Sequence, residues 1–332
     1  MMRRYLSYIK RHLFPQQQAP VPKLSIIVVV YKMAEQANNT LYSLSRKYQM
    51  DIKKEDYEVI VVENASSEEL GEQRALSHGK NFRYFYRNDD SVSPVPAINY
   101  AAEQAIGEHI CVMIDGARMV TPGMIKQTLS ATRVSEMAVI SVPGYHLGHK
   151  VQQEAMEEGY DTHMEAELLS SVGWKENGYN LFEIACFSST SKRGYFLSGG
   201  ESNCITVSKK LWNELGGYDA GFTSVGGGLS NLDFYKRACE HPETELINIA
   251  AEGSFHQFHG GVTTGQEAEK RLAALDTHFA EYESLRGEAF RPPKVPALVF
   301  GSFSAQSLIF APVSVETYWE IKKYSYDKKE SE

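Results

Sequence analysis

Apolar runs separated by stretches of helical spacing dominate the first 135 residues. "LSIIVVVY" (24–31) is a β-branched run of the kind buried on both faces of a parallel sheet. "YEVIVVEN" (57–64), "FRYFYRN" (82–88) and "HICVMID" (109–115) read as three further strands. Between them, "NNTLYSLSRKYQM", "SEELGEQRALSHG" and "PAINYAAEQAIG" carry helical spacing, the last with Pro near its first turn and Gly after its end. This alternation predicts an α/β fold with a mainly parallel sheet.

Regularity weakens after about residue 145. "KVQQEAMEEGYDTHMEAELLSSVGW" is helical in pattern, and "GYFLSGGESNCITVSKKLWNELGGYD" reads as strand, loop, strand, helix. "NLDFYKRACE" is a helix and "ELINIAAEG" a strand. Residues 265–287 form an amphipathic helix, with Leu272, Leu275, Phe279 and Tyr282 spaced for burial. "VPALVFGSFSAQSLIFAPV" (295–313) is apolar, but Pro, Gly, Gln and Ser interrupt it, so it reads as core or interface rather than a membrane span.

Composition narrows the function classes. With 19 Tyr and 15 Phe the chain is too aromatic to be disordered over most of its length. A net charge of −8 argues against nucleic acid as the main partner, because phosphate neutralisation needs a basic face. Residues 1–23 hold Arg3, Arg4, Lys10, Arg11 and Lys23 and no acid, which leaves the rest at about −13. "MMRRYLSYIKRHLF" lacks the apolar centre of a signal peptide. Its helical spacing fits either a membrane-surface helix or a solvated or domain-packed one. "PQQQAPVPK" (15–23) is a linker. The four cysteines are scattered without a C-x-x-C pair, as for reduced core thiols in a cytoplasmic protein.

In an open parallel sheet, ligands bind beyond the carboxyl ends of the strands. Those ends are Val30-Tyr31-Lys32, Glu63-Asn64, Arg87-Asn88 and Asp115, each polar or aromatic directly after an apolar run. Together they indicate a ligand rim. The loop "YKMAEQANN" contains no G-x-G-x-x-G, which excludes a dinucleotide site of that type. "SVGGGLSN" (224–231) lacks the Gly-Lys-Ser/Thr of a P-loop and reads as a mobile loop that lets backbone approach a ligand. No G-x-S-x-G nucleophile elbow is present.

In order and spacing, "LSIIVVVYKMAEQANNTLYSL", "YEVIVVENASSEE", "NYAAEQAIGEHICVMIDGARMVTPGMI" and "LWNELGGYDAGF" resemble a family-2 glycosyltransferase of the GT-A fold, over about residues 23 to 260. The resemblance implies a Rossmann-like, mainly parallel central sheet with helices on both faces and a C-terminal helical extension. It divides the chain into a basic segment and linker (1–22), a GT-A domain (23–262) and the extension (263–332). Residues 23–135 would be the nucleotide-binding half and 136–262 the acceptor half. The activity implied is an inverting transfer, of hexosyltransferase type, from a nucleotide-diphosphate sugar to a glycan or lipid-linked acceptor hydroxyl, in polysaccharide or glycoconjugate synthesis. The alternative is a catalytically inactive nucleotide-sugar or glycan-binding protein of the same fold. A cytoplasmic location is expected, with peripheral membrane contact through residues 1–14.

The resemblance also assigns roles. Val30, Tyr31, Glu63, Asn64 and Asn88 are expected around the nucleoside, and Ala97-Ile98-Asn99 matches the family's A-x-N helix start, which places Asn99 on the nucleotide-sugar side. Asp115 and Gly116 fall on the family's D-x-D motif, in which two carboxylates hold the divalent cation that bridges the diphosphate. Ala117 stands at the second acidic position. Two compensations are open: Arg118 could pair with diphosphate oxygens, or a His of "FHQFHGG", His256 or His259, could complete a Mn²⁺ or Mg²⁺ site. Ser230-Asn231 falls on the family's Glu-Asp pair, and Asn cannot take a proton at neutral pH. Asp233, the carboxylate of that stretch, is therefore expected as the general base. Gly199, Gly200, Glu201 and Asp219 are expected on the acceptor side.

Overall fold

The computed structural model describes residues 21–89, 91–259 and 268–330. The expected membrane-contacting helix at 1–14 therefore lies outside the described residues, as does most of the linker. In the first half the strands stop within two residues of where their apolar runs stop. β1 (Leu24–Val30) is followed by α1 (Ala34–Ser43), β2 (Tyr57–Asn64) by α2 (Glu72–Leu76), β3 (Phe82–Arg87) by α3 (Val95–Gln104), and then comes β4 (His109–Met113). α2 is one turn rather than the longer helix expected. Gly71, at a φ of 80°, opens it only after a loop held by Ser66 and Glu63.

The later elements are β5 (Arg118–Val120), α4 (Met124–Ala131), β6 (Ala138–Ser141), β7 (Gly144–Leu147), α5 (Gln152–Glu157), α6 (Thr162–Ser171) and β8 (Ala185–Phe187). β9 (Cys204–Ser208), α7 (Lys209–Leu215), α8 (Ser230–Glu240), β10 (Glu245–Ala250) and β11 (Ser254–His256) follow. The C-terminal part holds α9 (Ala268–Arg286), β12 (Ala297–Gly301) and α10 (Ala311–Glu330). Its two helices agree with the expectation, and β12 adds an edge strand to the sheet.

The central sheet has the order β12-β10-β6-β9-β4-β1-β2-β3. All neighbours run parallel except β9, which is antiparallel to β4 and β6. Both faces are covered, and the period of two along β1 assigns them. Leu24, Ile26, Val28 and Val30 pack with Leu41, Met124 and Ile125 on one face. Ile27 and Val29 pack with Ile98, Leu211, Phe234 and Tyr282 on the other. A truncation such as Ile27→Ala in this close-packed interior costs about 2–5 kcal/mol. A second sheet, β5-β11-β7-β8, stands on a cluster of rings in which Tyr145 stacks between Phe187 and Phe255.

Two expectations need correction. Residues 194–200 form no strand: Gly194 turns the chain at a φ of 75°, and Tyr195 is drawn into the aromatic cluster, its hydroxyl 3.0 Å from that of Tyr145. In α9, Leu272 and Phe279 are exposed at 60% and 46%. The helix instead buries His278 and Tyr282, the latter against Phe222 and Phe290. Arg286, one turn further on, pairs with Asp219 and Asp233, so ion pairing as well as apolar spacing sets the face that docks.

Candidate active site

The register of the sheet gathers the strand ends along one edge. β1 pairs Val28 with Met113 of β4 and Val30 with Glu63 of β2, while β4 pairs Met113 with Cys204 of the antiparallel β9. Residues 201–203 therefore enter β9 at the edge where Asp115 leaves β4. Along this rim the order is Asn88, Asn64, Tyr31, Asp115 and Glu201. Neighbouring strands lie about 4.8 Å apart, so β2 and β4 are separated by about 10 Å.

At the centre, Asp115 is one-fifth exposed. Its Oδ1 accepts from the Ala117 N–H at 3.0 Å and its Oδ2 from Arg118 Nε at 3.1 Å. β5 then pairs Arg118 with His256 on β11, and β11 pairs His256 with His146 on β7. His256 Nε2 lies 4.0 Å from Asp115 Oδ2 and 3.1 Å from His259 Nε2. The ligand atoms of Asp115, His256 and His259 all fall within 4.8 Å of one another. Carboxylate oxygen plus two imidazole nitrogens is a donor set that could hold a divalent cation.

The tautomer of His256 follows from its neighbour. Gln152 Nε2 donates to the His256 carbonyl at 3.0 Å, which turns Gln152 Oε1 toward His256 Nδ1 at 2.5 Å. Nδ1 must then carry the proton, and Nε2 presents a lone pair to the site. Burial, then Arg118 and the adjacent imidazoles, holds His256 well below its usual range. Burial lowers His259 as well and takes His146 down to about 3. Neutral imidazoles are the form that binds a metal.

The loop bearing these histidines is fastened on both sides. Gln257 N–H donates to Ala117 O, Gln257 Nε2 to Gln36 O on α1, and Gln36 Nε2 back to Phe258 O. The buried Glu165 accepts the Phe258 N–H and the Tyr160 hydroxyl. None of Gln36, Gln152, Glu165 and Gln257 stands out in the sequence, because each acts on a residue more than 90 positions away. Gly116 is needed where it sits: a Cβ would come within 3.1–3.3 Å of Val30, Ala37 and Met33.

On the nucleotide side, Tyr31 is half exposed, with Lys32 beside it in a left-handed conformation (φ 53°) that a side chain rarely adopts. Asn64 is buried, and its Oδ1 has no partner among the described residues. Asn88 is exposed next to the Arg87–Asp89 ion pair. Three further residues expected on this side are engaged by the fold itself. Val30 is sealed in the core against Gly116. Glu63 is fully buried and accepts from Leu70 N–H, Gly71 N–H and the Tyr84 hydroxyl, so it shapes the loop after β2. Asn99 uses both ends of its amide on the backbone of Tyr218 and braces that turn.

On the acceptor side the residue expected as the base is closed off. Asp233 is 1% exposed, and its carboxylate is clamped by Arg237 (2.7 Å) and by Arg286 (2.6 and 2.9 Å). That leaves little of its surface for a substrate hydroxyl, and a general base must come within hydrogen-bond reach of the proton it takes. Asp219 caps its own turn through Gly221 N–H and pairs with Arg286 in the same network. Asn231 is buried: it donates to Glu201 Oε2 (2.8 Å) and Asn203 Oδ1 (3.0 Å) and accepts from the Tyr218 hydroxyl (2.8 Å). Glu201 itself is partly exposed. Its Oε1 accepts from Thr190 and Asn203, and its Oε2, among the described residues, from Asn231 alone. One lone pair of Oε2 is left. Gly199, at the entrance to this segment, donates its N–H to the Tyr235 hydroxyl, and Gly200 rests against Thr190.

Comparison with known proteins bears on this geometry. A family model described as glycosyltransferase like family 2 matches residues 25–261. Among solved structures, the mannosyltransferase PcManGT from Pyrobaculum calidifontis, in complex with GDP-Man and Mn²⁺, aligns over 87% of this chain and 73% of its own. The identity there is 14% and the TM-score 0.50. S. aureus TarS aligns at 13% identity and a TM-score of 0.48 over 79% of this chain, which spans only 40% of that TarS chain. TarS 1-349 in complex with UDP-GlcNAc aligns at 16% identity and a TM-score of 0.49, over 79% of this chain and 66% of its own. No curated protein matches by sequence.

Proposed function

The chain belongs to the glycosyltransferase like family 2, and from that premise we propose that it moves a hexosyl unit from a nucleotide-diphosphate sugar to an acceptor hydroxyl, with inversion. The convergence of Asp115, His256 and His259 at the centre of the rim carries the reading. The acceptor would belong to a growing polysaccharide or glycoconjugate. A mannosyltransferase of the same fold binds GDP-Man and Mn²⁺, a donor class and a cation that suit this set of side chains.

The nucleoside would lie over β1 to β3. Tyr31 offers a ring face to the base. The diphosphate would then reach Asp115 and Arg118, about two strands away. Asp115 and the two imidazoles would hold a divalent cation, which supplies positive charge to the departing diphosphate. Arg118 both orients Asp115 and brings a further positive charge, so the two compensations for Ala117 operate together.

Glu201 is the proposed base. The acceptor oxygen attacks the anomeric carbon, the bond from that carbon to the diphosphate oxygen breaks on the opposite face, and the acceptor proton passes to Glu201 Oε2. Asn231, at the place where relatives are expected to carry the base, positions Glu201 through its amide. The exchange of roles places the carboxylate on the strand-entry loop and the amide on the helix.

A thermal-shift series with nucleoside diphosphates and their sugars, with and without Mn²⁺, tests the reading. A true donor at about 100 times its Kd stabilises the fold by about 2.7 kcal/mol. The shift should require Mn²⁺ and should weaken in Asp115→Asn. No shift with any nucleotide would overturn the proposal.

A further inference from the structure

The C-terminal stretch exposes far more apolar surface than a folded core needs. Phe303, Leu308, Ile309 and Val313 are each more than 40% exposed. Beside them β12, the edge of the central sheet, and α10 enclose a groove of 650 Å³. Its apolar walls include Phe196, Val299, Val315 and Trp319, the last 65% exposed. On α10, Val315, Trp319 and Lys322 follow one another at helical spacing and so form a single stripe.

The polar lining has one sign. Arg193, Lys294 and Lys322 border the groove, and among the described residues no carboxylate lines it. Glu316 and Glu320 are exposed on the same helix but do not line the groove. This basic patch belongs to a chain whose net charge is −8. An exposed Trp and aliphatic side chains bordered by Lys and Arg form the combination that partitions into the headgroup region of an anionic bilayer. A second copy of the chain fits poorly, because a two-fold contact would set these cations against their own copies. Among the described residues no helix is long and apolar enough to cross a membrane, so contact of this kind would be peripheral.

We propose that the groove between β12 and α10 is a docking surface for an anionic lipid bilayer, with Trp319 and its aliphatic neighbours entering the interface and Arg193, Lys294 and Lys322 contacting lipid phosphates. The loop that supplies Arg193 and Phe196 continues into Gly199, Gly200 and Glu201. A docked molecule therefore carries its acceptor side close to the lipid. That consequence, unlike the docking itself, rests on the glycosyltransferase reading.

Vesicle sedimentation of the full chain tests the docking without any substrate. Binding is expected to vesicles of phosphatidylglycerol and phosphatidylcholine, and not to phosphatidylcholine alone. The triple variant Arg193→Gln, Lys294→Gln, Lys322→Gln should bind about 100-fold more weakly. Trp174 and Trp212 are buried, so a blue shift of tryptophan emission on vesicle addition should come from Trp319 and vanish in Trp319→Ala. These substitutions are at the surface, and retained nucleotide-induced thermal shifts would verify the fold. Three results would overturn the proposal: no vesicle binding, undiminished binding by the triple variant (which would assign it to the basic residues 1–14), or a dimer that Trp319→Ala abolishes.

Discussion

Asp115 and Asp233 are both aspartates paired with arginine, yet their surroundings differ in kind. Asp233 accepts three hydrogen bonds from two guanidinium groups and is closed to solvent. Asp115 has one arginine, an open side and two imidazoles facing it. Glu201 belongs with Asp115, since one lone pair and part of its surface are free, and Glu63 belongs with Asp233. A carboxylate acts on a substrate through the lone pairs and surface that the protein leaves unpaired, and these vary more than the residue type does.

The comparison breaks most visibly at Asp233. Asp233→Ala would leave Arg237 and Arg286 without their shared anion, at a cost of about 3–5 kcal/mol, read as a lower urea midpoint. If the midpoint stayed within error, the closed class would not be structural. A smaller effect is expected at Gln152. Gln152→Leu releases the His256 tautomer, and Mn²⁺ affinity by calorimetry should fall about 10- to 100-fold while the fold persists. Unchanged affinity would mean that Gln152 does not set the lone pair.

The smallest effect is expected at Glu252, a closed carboxylate with no cation beside it. Thr121 and Tyr179 donate to it, and burial raises it to about 7. Its folded value lies above the unfolded one, so its contribution is fully present below about pH 4.5 and is lost as pH rises through 7. Between pH 5 and 8 the wild-type chain should lose about 1–2 kcal/mol relative to Glu252→Gln, seen as a pH-dependent gap in melting temperature. A constant gap would contradict it.

Much of this architecture was legible in the sequence because strand ends mark themselves. "IIVVV" must be buried, and the first polar or aromatic residue after such a run lies on the rim. Tyr31, Asn64 and Asp115 were found in that way. The same reasoning puts Glu63 on the rim, but the strand's end cannot reveal that Leu70 and Gly71 fold back onto the carboxylate. The pairing of Asp233 is hidden for a related reason, since Arg286 lies 53 residues away on α9, whose docking face does not follow the apolar spacing. The sequence marks His256 and His259 as candidate donors, but Gln152, which orients His256, sits in a polar helix with nothing to distinguish it.

Release of nucleoside diphosphate from a donor sugar in the presence of Mn²⁺, compared between Glu201→Gln and Asp233→Asn, tests the central claim most directly. Glu201→Gln keeps the size of the side chain but replaces one accepting oxygen with an NH2 group and removes the proposed base, so turnover should fall about 1,000-fold with donor binding retained. Asp233→Asn, corrected for the fraction folded, should keep the wild-type rate. Full turnover in Glu201→Gln together with loss in folded Asp233→Asn would contradict the account.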